Sequence, residues 1–327
     1  MNGLPKPYYE TKHGVAYLAD AKEILATGKL DGSVDLIVTS PPFALRRKKE
    51  YGNVEAARYV EWFLQFATLF HRVLKPLGSL VIHIGGSWNS GEPTRSLYHY
   101  ELLVELCRLA DQRFYLAQEF FWYNPARLPT PAEWVTVRRE RVKDAVDCVW
   151  WLSKDPHPNA DNRRVLRPYS DSMEDLLRRG YKPMLRPSGH DISSKFGKRN
   201  SGSIPPNLLE IANTESNSRY LRACRLAGVR PHPARYPAAL PRFFVEFLTT
   251  PGDLVLDPFA GSNVTGEVCE KLGRRWVAVD TIEDYLAGSK FRFDEFCLCE
   301  WTDSRGQKVF VLRDDEPEYD VSPKTSP

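Results

Sequence analysis

Apolar and polar positions along the first third of the chain follow two alternating periods. Val34 to Val38 is a short apolar run, broken by Asp35, that ends at Thr39-Ser40-Pro41-Pro42 and reads as a strand. From Val54 to Leu74, apolar side chains recur at Val60, Phe63, Leu64, Ala67, Phe70 and Leu74, the spacing of one helix face, with Pro76 and Gly78 as the stop. Ser79 to Ile84 is the next strand, followed by Gly85 and Gly86, a helix over Leu97 to Leu109 and a strand over Phe114 to Tyr123. The last third repeats this order. A helix over Pro241 to Thr250 turns at Pro251-Gly252 into a strand at Leu254 to Leu256; a helix from Val264 to Leu272, a strand at Arg275 to Val279 and a helix from Ile282 to Lys290 complete it. Strands alternating with helices predict an α/β fold: a doubly wound, mostly parallel sheet covered by helices on both faces.

Between these thirds the pattern fades. From about Asp155 to Pro233 the chain is rich in Pro, Arg, Ser and Asn, with short helices expected only at Met173 to Arg179 and Tyr220 to Leu226. Residues Asp155 to Asn200 carry ten Lys or Arg against six Asp or Glu, which marks a basic, loop-rich insert. Beyond Arg313 there is too little apolar surface to fold, so 314–327 is expected to be a disordered acidic tail.

Composition narrows the function classes. A chain of 327 residues can bury a sizeable core. No stretch, the first ten residues included, approaches the roughly 18 apolar residues of a membrane span, so no membrane partner and a cytoplasmic location are expected. The six cysteines form no CxxC pair and the seven histidines no HExxH, so no metal is expected. The net charge of +3 conceals clusters at Arg46, Arg47, Lys48 and Lys49, at Arg138 to Lys143 and through the central insert, offset by the acidic end. Such clusters suit a nucleic-acid backbone, although a charge run is also an ordinary solvated face.

Two segments carry chemistry. In an open doubly wound sheet, ligands bind beyond the carboxyl ends of the strands. The run Leu254-Val255-Leu256-Asp257 followed by Pro258, Phe259, Ala260, Gly261 and Ser262 has that form, and Asp280 closes the next strand about twenty residues on, where a carboxylate accepts both ribose hydroxyl protons. A nucleoside-containing cofactor follows. A dinucleotide fits poorly, because the turn is not G-x-G-x-x-G and Asp257, Pro258 and Phe259 crowd the pyrophosphate position.

The second segment is Ser40-Pro41-Pro42-Phe43. Consecutive prolines fix φ and remove two N–H donors, which leaves rigid carbonyl acceptors. The Ser40 hydroxyl and the Pro41 carbonyl are placed to accept the two protons of an exocyclic amine, freeing its lone pair for an activated methyl, with Phe43 stacked on the base. An amine inside a duplex is out of reach, so the nucleotide must flip out. Cytosine N4 and adenine N6 are both conjugated amines, and this chemistry does not separate them.

Taken together, Ser40-Pro41-Pro42-Phe43 early and Asp257-Pro258-Phe259-Ala260-Gly261-Ser262 late resemble the two halves of an S-adenosylmethionine-dependent DNA amino-methyltransferase of the beta group, over roughly Tyr17 to Lys290. The late segment is similar to the family's DPFAGSG loop, with Asn263 where a second glycine is frequent; Asn tolerates positive φ best among other residues. Serine before Pro-Pro-Phe is similar to the members that make N4-methylcytosine in type II restriction-modification systems. Ser203 to Asn207 and His232 to Pro237 also look like family segments, and the resemblance implies a methionine pocket near Pro237. It implies an adenine contact for Asp20, for which a helix N-cap is the alternative reading.

On this reading residues 11–154 and 231–300 form a discontinuous catalytic domain, and 155–230 a target-recognition region. Double-stranded DNA is the partner, with a restriction endonuclease as functional counterpart. Arg46, Arg47, Lys48, Lys49, Arg163, Arg164, Lys195, Lys198 and Arg199 are the expected DNA contacts. The competing readings are an adenine-N6 or RNA methyltransferase on the same scaffold, a catalytically dead DNA-binding relative, and a nicotinamide dehydrogenase.

Overall fold

Nine strands form one sheet in the computed structural model, which describes residues 3–44, 54–180, 198–213 and 218–293, together with short paired strands at 301–302 and 308–309. The strands are β1 (Tyr9–Glu10), β2 (Gly14–Leu18), β3 (Val34–Thr39), β4 (Leu74–Ile84), β5 (Tyr115–Tyr123), β6 (Val146–Ser153), β7 (Leu208–Glu210), β8 (Leu254–Asp257) and β9 (Arg275–Asp280). Their order in space is β1-β2-β9-β8-β3-β4-β6-β5-β7. The pairs from β2 through β9, β8 and β3 to β4 are parallel, as is β5 with β7, whereas β6 runs antiparallel to both of its neighbours. The sheet is the mostly parallel one expected.

This order has one consequence for function: β8, from the end of the chain, inserts beside β3, from its beginning. The carboxyl ends of those two strands are therefore neighbours. Asp35, which interrupts the apolar run of β3, secures the other end. Its carboxylate accepts from Lys75 Nζ at 2.7 and 2.9 Å and from the Leu254 amide at 2.9 Å, tying β3, β4 and β8 together.

Helices cover both faces. On one lie α1 (Ala21–Ala26), α2 (Ala56–Val73) and α3 (Tyr98–Arg108), packed on Ile37, Leu80, Ile82, Trp150 and Leu256. On the other lie α6 (Ala239–Leu248), α7 (Val264–Lys271) and α8 (Glu283–Ser289), packed on Leu36, Val38, Val81, Val149 and Val255. Odd and even strand positions divide between the two cores because successive side chains point to opposite faces. Helix α2 buries Tyr59, Phe63, Phe66, Ala67, Phe70 and Val73, and truncating Phe70 to Ala there costs about 3 to 5 kcal/mol.

Three expectations need correction. The helix through Phe70 ends at Val73, before Pro76 and Gly78, which lie inside β4 where its register with β3 slips between Leu74 and Ser79. Pro76 stands in that irregular stretch, where no regular ladder bond is required of it. Strands β1, β2, β6 and β7 were not anticipated. The sequence Val-Trp-Trp-Leu of β6 is buried on both faces and shows no alternation, and the edge strands β1 and β7 are two and three residues long.

The stretch 155–230 is also not set apart from the body. Its helix α4 (Asp171–Arg179) is peripheral, but β7 pairs with β5, and α5 (Arg219–Leu226) buries Tyr220, Ala223 and Cys224 against Phe291. Non-local pairing of so short a strand leaves no local signature.

Candidate active site

One cavity of about 610 Å³ opens at the carboxyl ends of β3, β8 and β9, and both sequence motifs line it. The Ser40-Pro41-Pro42-Phe43 segment forms one wall. Pro258 to Ser262, with Asp280 and Thr281, forms another.

The donor-side wall is made chiefly of backbone. Past β8 the chain turns through Gly261 at φ +52° and Asn263 at φ 53°, both left-handed. A Cβ on Gly261 would stand 3.1 Å from the His232 ring, so glycine serves both the turn and the close packing. Asn263 keeps its strained conformation by hydrogen bonding: its Oδ1 accepts from the Gly266 amide at 3.0 Å, capping α7, and its Nδ2 donates to Tyr9 Oη at 2.9 Å. Asp280 accepts from the amides of Gly261 at 2.7 Å and Ile282 at 2.9 Å. Burial raises its carboxyl above the usual range, and those amide bonds pull the other way. Phe259 packs edge-on to Phe66, ring centroids 5.0 Å apart, and against Trp62 at 5.8 Å, giving this wall an aromatic side.

Asp20 is the N-cap of α1, its Oδ1 accepting from the Lys22 amide at 2.8 Å, and it also borders the cavity. Asp257, Asn263 and Pro237 were expected to touch the cofactor and do not reach the cavity lining. The Asp257 carboxylate lies beneath the loop, accepting from Thr39 Oγ1 at 2.9 Å, the Phe259 amide at 3.2 Å, Thr265 Oγ1 at 2.7 Å and Tyr236 Oη at 3.2 Å. Burial pushes it up to about 6, against the pull of these bonds. It holds the loop in shape from below. Near Pro237, the cavity is lined instead by His232 to Tyr236.

The acceptor-side wall depends on side chains from separate strands. Ser40 Oγ is 2.9 Å from His83 Nδ1 at the end of β4. His83 Nε2 faces Asp147 Oδ2 of β6 at 3.6 Å, and Asp147 Oδ1 accepts from Arg127 Nη1 at 2.8 Å. Burial would push Asp147 up, yet His83 and Arg127 hold it down at about 2. Phe43 stands edge-on to His83 at 5.3 Å, in space that a Cβ on Gly85 would fill. Trp122 flanks His83 at 5.1 Å. Sequence reading missed His83, Trp122, Asn124, Arg127, Asp147 and Asn213; the usable signal was the position of His83 at the carboxyl end of the strand beside β3, just before Gly85-Gly86.

The expected DNA contacts divide. Arg46, Arg47, Lys48, Lys49 and Lys195 lie outside the described residues. Arg164 Nη1 donates to the Thr249 carbonyl at 2.9 Å and Arg163 pairs with Asp161 at 2.8 Å. Thr249 ends α6 just before β8 begins, so this arginine pair stands at the amino ends of the strands, opposite the cavity. Charge counting could not see which end of the sheet the pair would occupy. Lys198 is exposed, and Arg199 pairs with Glu174 of α4 at 2.9 Å. In the connection between β5 and β6, Arg138 pairs with Glu133 and lies over the Trp134 ring, 4.9 Å from its centroid.

Comparison with known proteins agrees with this geometry. A family model described as DNA methylase matches residues 34–291. The type II methyltransferase M.PvuII of Proteus hauseri is 50% identical over 296 residues, covering 90% of this chain and 87% of that one. The type II methyltransferase M.HpaI of Haemophilus parainfluenzae is 26% identical over 271 residues, covering 81% and 69%. Among solved structures, PvuII DNA methyltransferase (cytosine-N4-specific) superposes with a TM-score of 0.71 at 44% identity, over 88% of this chain and 89% of that one.

Proposed function

The chain belongs to the N6/N4 DNA methylase family, and from that premise we propose that it transfers a methyl group from S-adenosylmethionine to the exocyclic N4 of a flipped-out cytosine in duplex DNA. The observation that carries this reading is the single cavity lined by both Ser40-Pro41-Pro42-Phe43 and Pro258 to Ser262. Methyl transfer is an in-line displacement, governed by placing donor and acceptor next to each other. The cytosine assignment is supported by Ser40 and by the half-identical relative M.PvuII, the PvuII enzyme of known structure being cytosine-N4-specific.

The residues fit the cofactor. Asp280 offers a half-buried carboxylate to ribose hydroxyls, Gly261 leaves room where a Cβ would intrude, and Phe259 and Trp62 offer an aromatic face to a purine. When bound, S-adenosylmethionine supplies a methyl group activated on a sulfonium. The chain's own part is to hold the amine. The Ser40 hydroxyl and the Pro41 carbonyl accept its two protons, Phe43 and Trp122 enclose the ring, and the lone pair is left free.

Flipping costs a few kcal/mol of stacking and pairing, offset by contacts in the pocket and on phosphates. Arg138, Arg139 and Lys143, in the connection that runs from Asn124 and Arg127 at the cavity, and Lys198 are the described residues assigned to phosphates. Protection of DNA from a partner restriction endonuclease, in the cytoplasm, completes the proposal.

The test is to incubate the protein with S-adenosylmethionine and mixed-sequence duplex DNA, digest to nucleosides and weigh the products. N4-methylcytosine is expected. N6-methyladenine would overturn the cytosine assignment, and unmethylated DNA the function.

A further inference from the structure

Ser40 is one end of a chain of polar groups that the amine-holding role does not require. His83 is 7% exposed, its Nδ1 is at hydrogen-bond distance from Ser40 Oγ, and its Nε2 has no hydrogen-bond partner. What Nε2 faces, at 3.6 Å, is the carboxylate of Asp147, itself 7% exposed and anchored by Arg127. A carboxylate facing Nε2 favours the tautomer with the proton there, so Nδ1 is left as the acceptor of the Ser40 hydroxyl hydrogen. Three strands contribute: Ser40 follows β3, His83 is in β4 and Asp147 in β6. Alternation places all three side chains on one face of the sheet.

From this geometry we propose that Ser40, His83 and Asp147 form a proton relay that removes the proton displaced from the amine during methyl transfer. The inference rests on the amino-methyltransferase reading above. As the N4 lone pair forms the new N–C bond, the C–S electron pair stays on sulfur, leaving a neutral thioether. N4 then carries the methyl, two hydrogens and a positive charge. One hydrogen passes to Ser40 Oγ as the serine's own hydrogen passes to His83 Nδ1. The products are a neutral methylated amine and an imidazolium facing Asp147, which releases its proton to solvent after the methylated base leaves. Asp147 stays ionised throughout, and Arg127 keeps it in place. His83 acts through Ser40 and is therefore a positioning and proton-accepting residue.

Such a relay needs neutral His83 at the outset, so the single-turnover rate should fall on the acid side. An acid limb alone would be ambiguous. The groups around His83 are Ser40 and Phe43 after β3, Trp122 of β5, Asp147 of β6, Arg127 beyond β5, and Tyr236 before α6. Through Tyr236 they include Asp257, whose carboxyl is pushed up to about 6 by burial and could shape an acid limb of its own.

His83→Asn resolves the ambiguity. Asparagine can still accept the Ser40 hydrogen through Oδ1 but cannot take a proton, while Asp257 is untouched. The expected result is a single-turnover rate lower by about 100-fold, the size of a general acid–base contribution, with the acid limb gone and S-adenosylmethionine affinity within about twofold. A rate within twofold of the parent, or an acid limb that persists in the variant, overturns the relay. Asp147→Asn is the second variant; removing the charge that stabilises imidazolium should move the acid limb to lower pH, and an unmoved limb overturns the proposal. In protein labelled with 15N-histidine, His83 should show a bare Nδ1 and a protonated Nε2 without any donor or DNA, and the opposite tautomer overturns it. Failure of the relay would leave the parent protein methylating DNA, whereas failure of the functional reading would leave the parent itself inactive.

Discussion

The two walls of the cavity are built by different means. The donor wall is shaped chiefly by the backbone of 258–262: a left-handed glycine, a left-handed asparagine below it that caps α7, and amides received by Asp280 from the end of β9. The acceptor wall draws Ser40, His83, Asp147 and Arg127 from four places in the sequence and joins them through side chains. A wall made of backbone fixes position and shape. A wall made of titratable side chains can also move a proton. Donor-side changes should therefore show in binding, and acceptor-side changes in rate, so variants that violate this division would break the comparison.

The largest effect is expected for Asp280→Ala. It removes the carboxylate offered to the ribose and releases the Gly261 and Ile282 amides, and charge-assisted bonds contribute about 1.5 to 3 kcal/mol each. The Kd for S-adenosylmethionine, read by calorimetry, should rise by about 100- to 1000-fold, with the saturated rate much less affected. An unchanged Kd would show that the ribose lies elsewhere.

Ser40→Ala should do the reverse. It removes one acceptor of the amine and the entry to His83, and single polar groups at a reacting centre are worth about 100-fold or more in rate. Donor affinity should stay within about twofold. Undiminished turnover in a single-turnover methylation assay would remove Ser40 from the chemistry.

Gly261→Ala tests whether backbone alone shapes the donor wall. A side chain at φ +52° costs about 1 to 2 kcal/mol, and its Cβ meets the His232 ring at 3.1 Å. Donor affinity should fall by about 10-fold with little change in saturated rate. An equal loss in rate at saturating donor would mean that the loop also sets the acceptor's position.

The same contrast explains what could be read from the sequence. The donor wall is local: strand, Asp257-Pro258-Phe259-Ala260-Gly261, helix, strand and Asp280 follow one another within about thirty residues, and each step leaves a periodic or turn signal. Most of the strand and helix order on either side was legible for that reason. The acceptor network was not, because Ser40 and His83 meet only through β3–β4 pairing, and Asp147 joins through the unanticipated strand β6. A histidine in Val-Ile-His-Ile is indistinguishable from a core residue until its neighbours in space are known. Arg163 and Arg164 show the opposite limit of sequence reading. Their charge suggested DNA, while the fold spends Arg164 on the carbonyl of Thr249, at the far end of the sheet.

Asp257 belongs to the donor motif by sequence and to neither wall by position, which makes it the finest test of the division. It receives four hydrogen bonds beneath the loop, and burial raises its carboxyl to about 6, from an ordinary value of 3.8. A folded value above the unfolded one means that the native state favours the protonated acid. The stabilisation is then complete below about pH 4 and is lost as pH rises through 6. Asp257→Asn keeps an oxygen for Thr39 and the Phe259 amide and offers N–H groups to the Thr265 and Tyr236 oxygens, which can act as acceptors. It should remove this pH dependence, raising thermal stability at pH 7.5 relative to the parent by on the order of 1 to 3 kcal/mol and leaving it nearly level at about pH 3.5. Donor Kd and methylation rate should each stay within about threefold. A 100-fold loss of donor affinity with the fold intact would mean that this carboxylate, like that of Asp280, reaches the cofactor directly and belongs to the donor wall.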